Sequence, residues 1–195
     1  MARRKDKNRS QAGRLRIVAG KWRSRLLQIA DVEGLRPTSQ RIRETLFNWL
    51  APTLPGSRCL DLFAGTGALG LEALSRGADE VVFVERHPAA ARQLRENVTA
   101  LDADDAMVIE SDALACLRDR PPAAFDIVFL DPPFAADLLG ETCRLLAEGH
   151  WLAAGARVYI ELDRSAAEPD LPAGWVVLKN KTAGNVRYML VETGT

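Results

Sequence analysis

Cys59-Leu60-Asp61-Leu62-Phe63-Ala64-Gly65-Thr66-Gly67-Ala68-Leu69-Gly70 is an apolar run that stops in a glycine-rich turn and restarts with helical spacing. The predicted local structure is a strand from Cys59 to Phe63 and a helix from Ala68 to Arg76. Glycine permits the tight turn, and the helix start leaves free N–H groups facing it. The alternation continues downstream. Glu80 to Val84 precedes a helical Pro88 to Leu101, Met107 to Glu110 precedes a short helix near Ala113 to Leu117, and Phe125 to Leu130 precedes a helix near Ala136 to Ala147. Apolar strands alternating with helices predict an α/β fold built on a doubly wound, mostly parallel sheet. A fifth strand at Val158 to Leu162 is followed by Trp175 to Lys179 and Val186 to Val191 around a Thr182-Ala183-Gly184-Asn185 turn. That spacing predicts a closing antiparallel pair.

Ahead of this unit, Leu15 to Ala19 and Trp22 to Leu27 flank Gly20-Lys21, which reads as a β-hairpin whose polar face is largely arginine. Arg36-Pro37-Thr38-Ser39 reads as a helix entry with Thr38 or Ser39 as cap, and Ile42, Leu46, Trp49 and Leu50 recur at helical spacing. Trp49 is expected in the core, and Trp22 between hairpin and domain, because large aromatics bury. Pro52 and Pro55-Gly56 mark the boundary. The expected organisation is a basic flexible tail over 1–13, a hairpin and helix extension over 14–55, and the Rossmann-like sheet over 56–195.

The formal net charge of the 195 residues is zero, but it is unevenly spread: residues 1–50 hold 13 Lys/Arg against Asp6, Asp31, Glu33 and Glu44. An excess of +9 on one segment is the footprint of a polyanion partner. Cys59, Cys116 and Cys143 have no CxxC spacing and His87 and His150 lie far apart, so neither a disulfide nor a metal site is expected. The start MARRKDKNRS lacks the apolar core of a signal peptide, and no run approaches the length of a membrane span. A cytoplasmic monomer that does not engage membranes is the expectation.

Gly65, Gly67 and Gly70 satisfy G-x-G-x-x-G, the turn that approaches a dinucleotide pyrophosphate, so an NAD-dependent oxidoreductase is one reading. Asp61 favours another. It stands four residues before the first glycine, where a carboxylate pairs with a cationic amino group, as S-adenosylmethionine presents. Glu85, at the end of the second strand, suits the two ribose hydroxyls of either cofactor. Asp112 can accept from an adenine amino group or cap a helix, and Ala113 leaves room for a ring.

Asp131-Pro132-Pro133-Phe134 closes the fourth apolar run. Proline fixes φ and pushes its predecessor into an extended conformation, so the Asp131 carboxylate and the Pro132 carbonyl become fixed acceptors for an amino group, with Phe134 free to cover a flat ring.

With DLFAGTGALG, VER, SDA and DPPF in this order, the chain resembles the class I S-adenosylmethionine-dependent methyltransferases, and the proline-proline-aromatic turn those that methylate amino groups. RIVAGKWRSRLL and LRPTSQRIRETLFNWL upstream make it similar to the RsmD family of bacterial 16S rRNA (guanine-N2)-methyltransferases, from about Arg14 to Val191. The resemblance implies direct in-line methylation of a guanine N2, at position 966 in conventional rRNA numbering. The 16S rRNA would be presented in a partly or fully assembled small subunit. Asp131, Pro132 and Phe134 would be catalytic, with Asp61, Phe63, Ala64, Gly65, Gly67, Glu85, Arg86, Asp112, Ala113 and Asp131 around S-adenosylmethionine. Arg16, Lys21, Arg23, Arg25, Arg36, Thr38, Arg41, Arg43 and Lys181 would face RNA. Methylation of another nucleic-acid amine, adenine N6 included, and a non-catalytic RNA-binding module are the alternatives.

Overall fold

The apolar runs become the centre of one seven-stranded sheet in the computed structural model, which describes residues 13–119, 121, 123–133 and 138–194. The elements are β1 (Arg14–Arg16), β2 (Leu26–Gln28), α1 (Gln40–Leu50), β3 (Arg58–Asp61), α2 (Ala68–Ser75), β4 (Glu80–Glu85) and α3 (Pro88–Ala100), then β5 (Ala106–Glu110), α4 (Ala113–Arg118), β6 (Phe125–Leu130), α5 (Leu139–Glu148), β7 (Leu152–Asp163), β8 (Val176–Ala183) and β9 (Val186–Glu192). The sheet order is β5-β4-β3-β6-β7-β9-β8. The first five strands are parallel, and β9 and β8 complete the sheet antiparallel. This is the Rossmann-like arrangement the sequence predicts. Among the described residues, no helix is long and apolar enough to cross a membrane.

Two apolar layers cover the sheet. One face packs Leu60, Val82, Val128 and Ile160 against α4 and α5 through Leu117, Cys143 and Leu146. The other joins Val81, Phe83, Phe129 and Tyr159 to α2 and α3, and continues without a break into Leu15, Ile17, Trp22, Leu27, Leu46 and Phe47 of the N-terminal extension. The extension thus shares the sheet's core.

Three sequence expectations are corrected. The hairpin pairs Arg14 to Arg16 with Leu26 to Gln28 and carries on to Ile17, which donates to the Arg25 carbonyl at 3.0 Å and accepts the Ser24 N–H at 2.9 Å, so residues 18–23 form the connection rather than a two-residue turn. The cause lies far along the chain: Val18 and Ala19 N–H donate to Glu72 at 2.9 Å, and Lys21 N–H donates to the Ser75 carbonyl at 2.7 Å. These bonds pull the connection onto α2, and Gly20 at φ +82 is where it turns. The fifth parallel strand begins at Leu152 rather than Val158, because Phe125 pairs with Leu152 before an irregularity after which Ile127 pairs with Arg157. Trp49 is half-buried rather than core, stacked on Tyr188 at 5.4 Å with the Lys181 ammonium over its ring. Residues 1–12 of the basic tail, Phe134 and the expected helix start at Ala136 lie outside the described residues.

Candidate active site

The strand order β4-β3-β6-β7 brings one carboxylate from each of four adjacent strands to the carboxyl edge of the sheet, in the sequence Glu85, Asp61, Asp131, Glu161. Glu85 and Asp61 are the last residues of their strands, Asp131 follows Leu130, and the Leu130–Ile160 pairing sets Glu161 beside it. Ligands of open α/β sheets bind at this edge, where the order of the strands reverses. None of the four carboxylates forms an ion pair with a Lys or Arg among the described residues.

Local backbone geometry fixes each group. Asp61 is buried, and its Oδ2 accepts the Gly70 N–H at 3.0 Å, tying β3 to the first turn of α2. Glu85 accepts from Gly65 N–H and from His87 N–H, both at 2.7 Å, so its carboxylate shapes the glycine turn as well as closing β4. Gly67 stands at φ +76, and a Cβ there would lie 2.4 Å from Leu94. A Cβ at Gly70 would lie 2.2 Å from the Phe83 ring, so the third glycine serves close packing of α2 on the sheet. Phe63 is half-buried, Ala64 is buried, and Arg86 is exposed directly after β4. Asp112 caps α4, accepting the Ala115 N–H at 3.1 Å, with Ala113 buried behind it.

Asp131 is half-buried and Pro132 buried. The Thr38 hydroxyl donates to Asp131 Oδ2 at 3.2 Å, and a Cβ at Gly65 would lie 3.2 Å from Leu35. The segment carrying Leu35, Arg36 and Thr38 therefore crosses the mouth of the site, with Arg36 exposed on it. Burial, then Asp131 and Glu85, raise the Asp61 carboxyl to about 7 against the opposing Gly70 N–H. Burial raises both Asp131 and Glu161, the Asp131 charge adds to the rise at Glu161, and the hydroxyls of Thr38 and Tyr159 act against it.

Of the residues expected to face RNA, Arg16, Lys21, Arg23, Arg25, Arg36, Arg41 and Lys181 are exposed. Lys21 lies 4.3 Å over the Trp22 ring, and Arg25 donates to the Ala100 carbonyl at 2.8 Å. Thr38 and Arg43 are buried instead. Arg43 spends its donors on Glu72 at 3.1 Å and on the carbonyls of Thr38 and Arg16 at 3.2 and 2.9 Å, so it joins the extension to α2 and presents nothing to a ligand. Sequence reasoning also passed over Glu161. Its signal was a lone carboxylate in Val158-Tyr159-Ile160-Glu161-Leu162, where a strand covered on both faces is otherwise apolar.

A family model described as "Conserved hypothetical protein 95" matches residues 15–192. Ribosomal RNA small subunit methyltransferase D of Escherichia coli (strain K12) is 46% identical over 188 residues, covering 96% of this chain and 94% of that protein. The protein of the same name from Haemophilus influenzae is 45% identical, covering 92% and 94%. The chain belongs to this family. Among solved structures, a putative methyltransferase from Escherichia coli superposes with a TM-score of 0.87 at 43% identity, covering 93% of this chain and 99% of that one.

Family membership settles the choice between cofactors: the chain is a class I methyltransferase and uses S-adenosylmethionine. The donor set fits it. A cationic ammonium and sulfonium suit a row of buried and half-buried carboxylates that have no ion pair among the described residues, and a ribose diol can share the remaining acceptor capacity of Glu85. A pH effect follows. The cofactor's positive charge favours ionised Asp61, so its affinity should fall up to about tenfold per unit as the pH drops below 7, with protons released on binding. Calorimetry in two buffers of different ionisation enthalpy measures that release. In the cofactor-free protein the sign is opposite for stability: folded Asp61 holds a proton that the unfolded chain has lost above its ordinary 3.8, so its contribution declines as the pH rises from there through 7.

Thr38 acts through Asp131 and is a positioning residue. Thr38→Val should lower turnover about tenfold at saturating cofactor without changing cofactor affinity, and Thr38→Ser should retain most of the rate. Steady-state kinetics beside calorimetry separate the two effects.

Proposed function

We propose that this methyltransferase acts on the exocyclic N2 amino group of a guanine in 16S rRNA, at position 966 in conventional numbering, presented by a partly or fully assembled small subunit. The observation that carries the reading is the Asp131-Pro132-Pro133 turn, set one strand from Asp61 and bonded through Thr38 to the basic extension. The names of the relatives, small-subunit rRNA methyltransferases, supply the substrate class.

S-adenosylmethionine supplies a methyl group on a sulfonium. Asp61 and Glu85 hold its charged and ribose ends, Asp112 meets the adenine edge, and Phe63, Ala64, Gly65, Gly67, Arg86 and Ala113 shape the pocket around it. A guanine amine is a weak nucleophile because its lone pair is delocalised into the ring. Acceptance of its two N–H bonds by the Asp131 carboxylate and the Pro132 carbonyl favours rehybridisation and aims the lone pair for in-line displacement. Burial keeps the Asp131 carboxyl above the ordinary range. Its Oδ1, which accepts from no described residue, is then suited to take the proton that the methylated amine sheds. The ring of Phe134 would lie on the base, a contact worth about 1–3 kcal/mol. Arg16, Lys21, Arg23, Arg25, Arg36, Arg41 and Lys181 would meet phosphates and place the chain on RNA without reading sequence. The target base is one in a loop or flipped from its stack, since pairing commits one N2–H and the N1–H to cytosine and leaves only the other N2–H for the two acceptors.

Incubation with methyl-labelled cofactor and either deproteinised 16S rRNA or small subunits lacking this modification tests the reading. Label in 16S rRNA is the expected result, and label in neither substrate overturns it.

A further inference from the structure

Three of the four carboxylates at the sheet edge have roles above; Glu161 has none. It is 5% exposed, a costly place for an acidic side chain with no ion pair among the described residues. The Tyr159 hydroxyl donates to its Oε2 at 2.7 Å and fixes its orientation, while Oε1 accepts from no described residue. By strand alternation and the β6–β7 register, Glu161 lies on the same face as Asp131, with Phe129 and Tyr159 directly below the pair. Asp61 is on the other side of Asp131, towards the cofactor. Glu161 therefore lies where the ring of a base held by Asp131 extends away from the cofactor, and beyond it Tyr188 of β9 and Trp49 close the wall.

The Watson–Crick edge of guanine offers two neighbouring donors, the N2 amine and N1–H, whereas adenine and 2-aminopurine present a lone pair at N1. An acceptor next to Asp131 matches the first edge and repels the second. We propose that Glu161 accepts the N1–H of the target guanine and is the residue that restricts an otherwise general amine-methylating turn to guanine. The proposal rests on the guanine-N2 reading above. Burial and the neighbouring Asp131 charge hold the Glu161 carboxyl above its ordinary range, and the N1–H donor and the cationic cofactor favour its ionised form once the site fills.

The test compares 16S rRNA fragments, assembled into small subunits if required, carrying guanine or 2-aminopurine at the target position. 2-Aminopurine keeps the amine and loses only N1–H and the carbonyl. Wild type should prefer guanine by about a hundredfold in kcat/KM. E161Q, the same size but with an amide that donates to N1, should lose about a hundredfold on guanine, gain on 2-aminopurine, and so collapse or invert the ratio. E161A, which reads neither edge, should abolish the preference. Cofactor binding by calorimetry shows that each variant is folded. Equal rates of wild type on both substrates, or variants that lower both rates alike with the ratio intact, overturn the proposal. Should neither variant fold, the wild-type ratio decides alone. No methylation of guanine by wild type is a different result, and it overturns the function proposed above instead.

Discussion

Asp131→Ala is expected to lower methyl transfer by about a thousandfold while leaving S-adenosylmethionine affinity within a few fold of wild type. The substitution removes the side-chain acceptor that holds the amine and the group suited to take its proton, but no contact assigned to the glycine turn, Glu85 or Asp112. Asp131 also repels Asp61, so its removal should let Asp61 ionise at lower pH and make cofactor binding less sensitive to acid. The combination is diagnostic: a damaged fold would weaken binding and turnover together. Single-turnover transfer from labelled cofactor, measured beside calorimetric titration at pH 6 and 8, separates the cases. Full activity in this variant would contradict the role assigned to Asp131.

Glu72→Ala should produce the largest loss of stability. Glu72 is fully buried on α2 and gathers four donors: Val18 and Ala19 N–H at 2.9 Å, Arg43 Nη1 at 3.1 Å and Arg76 Nε at 2.8 Å. Burial already lowers the Arg43 guanidinium pKa, with Glu72 opposing that shift and Arg76 reinforcing it. Without the carboxylate, two like charges face one another and the loop amides lose their acceptor, at a cost of about 3–5 kcal/mol. For a chain of this size that corresponds to a fall of about 6–20 °C in melting temperature. Scanning calorimetry measures it, and hydrogen exchange should show Val18 and Ala19 losing protection. Glu72→Met with Arg43→Met should recover only part of the loss, because it removes the unpaired Arg43 charge but leaves the Val18 and Ala19 N–H groups without their acceptor. A melting temperature within 2 °C of wild type in Glu72→Ala would refute the account of how the extension is held.

How far the sequence announces this architecture depends on the range of the forces involved. The parallel strands were legible because a strand covered on both faces is almost wholly apolar, and in Cys59 to Leu62, Val81 to Val84 and Phe125 to Leu130 only Asp61 and Asp126 interrupt the pattern. Asp61, Glu85 and Asp131 were legible because each sits at a strand end with a turn behind it. The long connection after β1 was not, since its conformation is set by Glu72 and Ser75, more than 50 residues away. Arg43 looks like its exposed neighbours Arg36 and Arg41 in a list of basic residues. Only the packing of α1 on α2 turns it inward, and the same packing sets Thr38 on Asp131. The start of β7 escaped notice because Ala153, Ala154, Gly155 and Ala156 carry little hydrophobic signal.

The central claim is that the row of carboxylates ending in the Asp131 turn directs a methyl group onto guanine N2 in 16S rRNA. Nucleoside mass spectrometry tests it most directly, applied to 16S rRNA from a strain lacking its own enzyme and expressing either this chain or its Asp131→Ala variant. N2-methylguanosine should appear with the wild-type chain and be absent with the variant. A methyl group on adenine N6, on a ring carbon, or on no 16S nucleotide at all would contradict the claim.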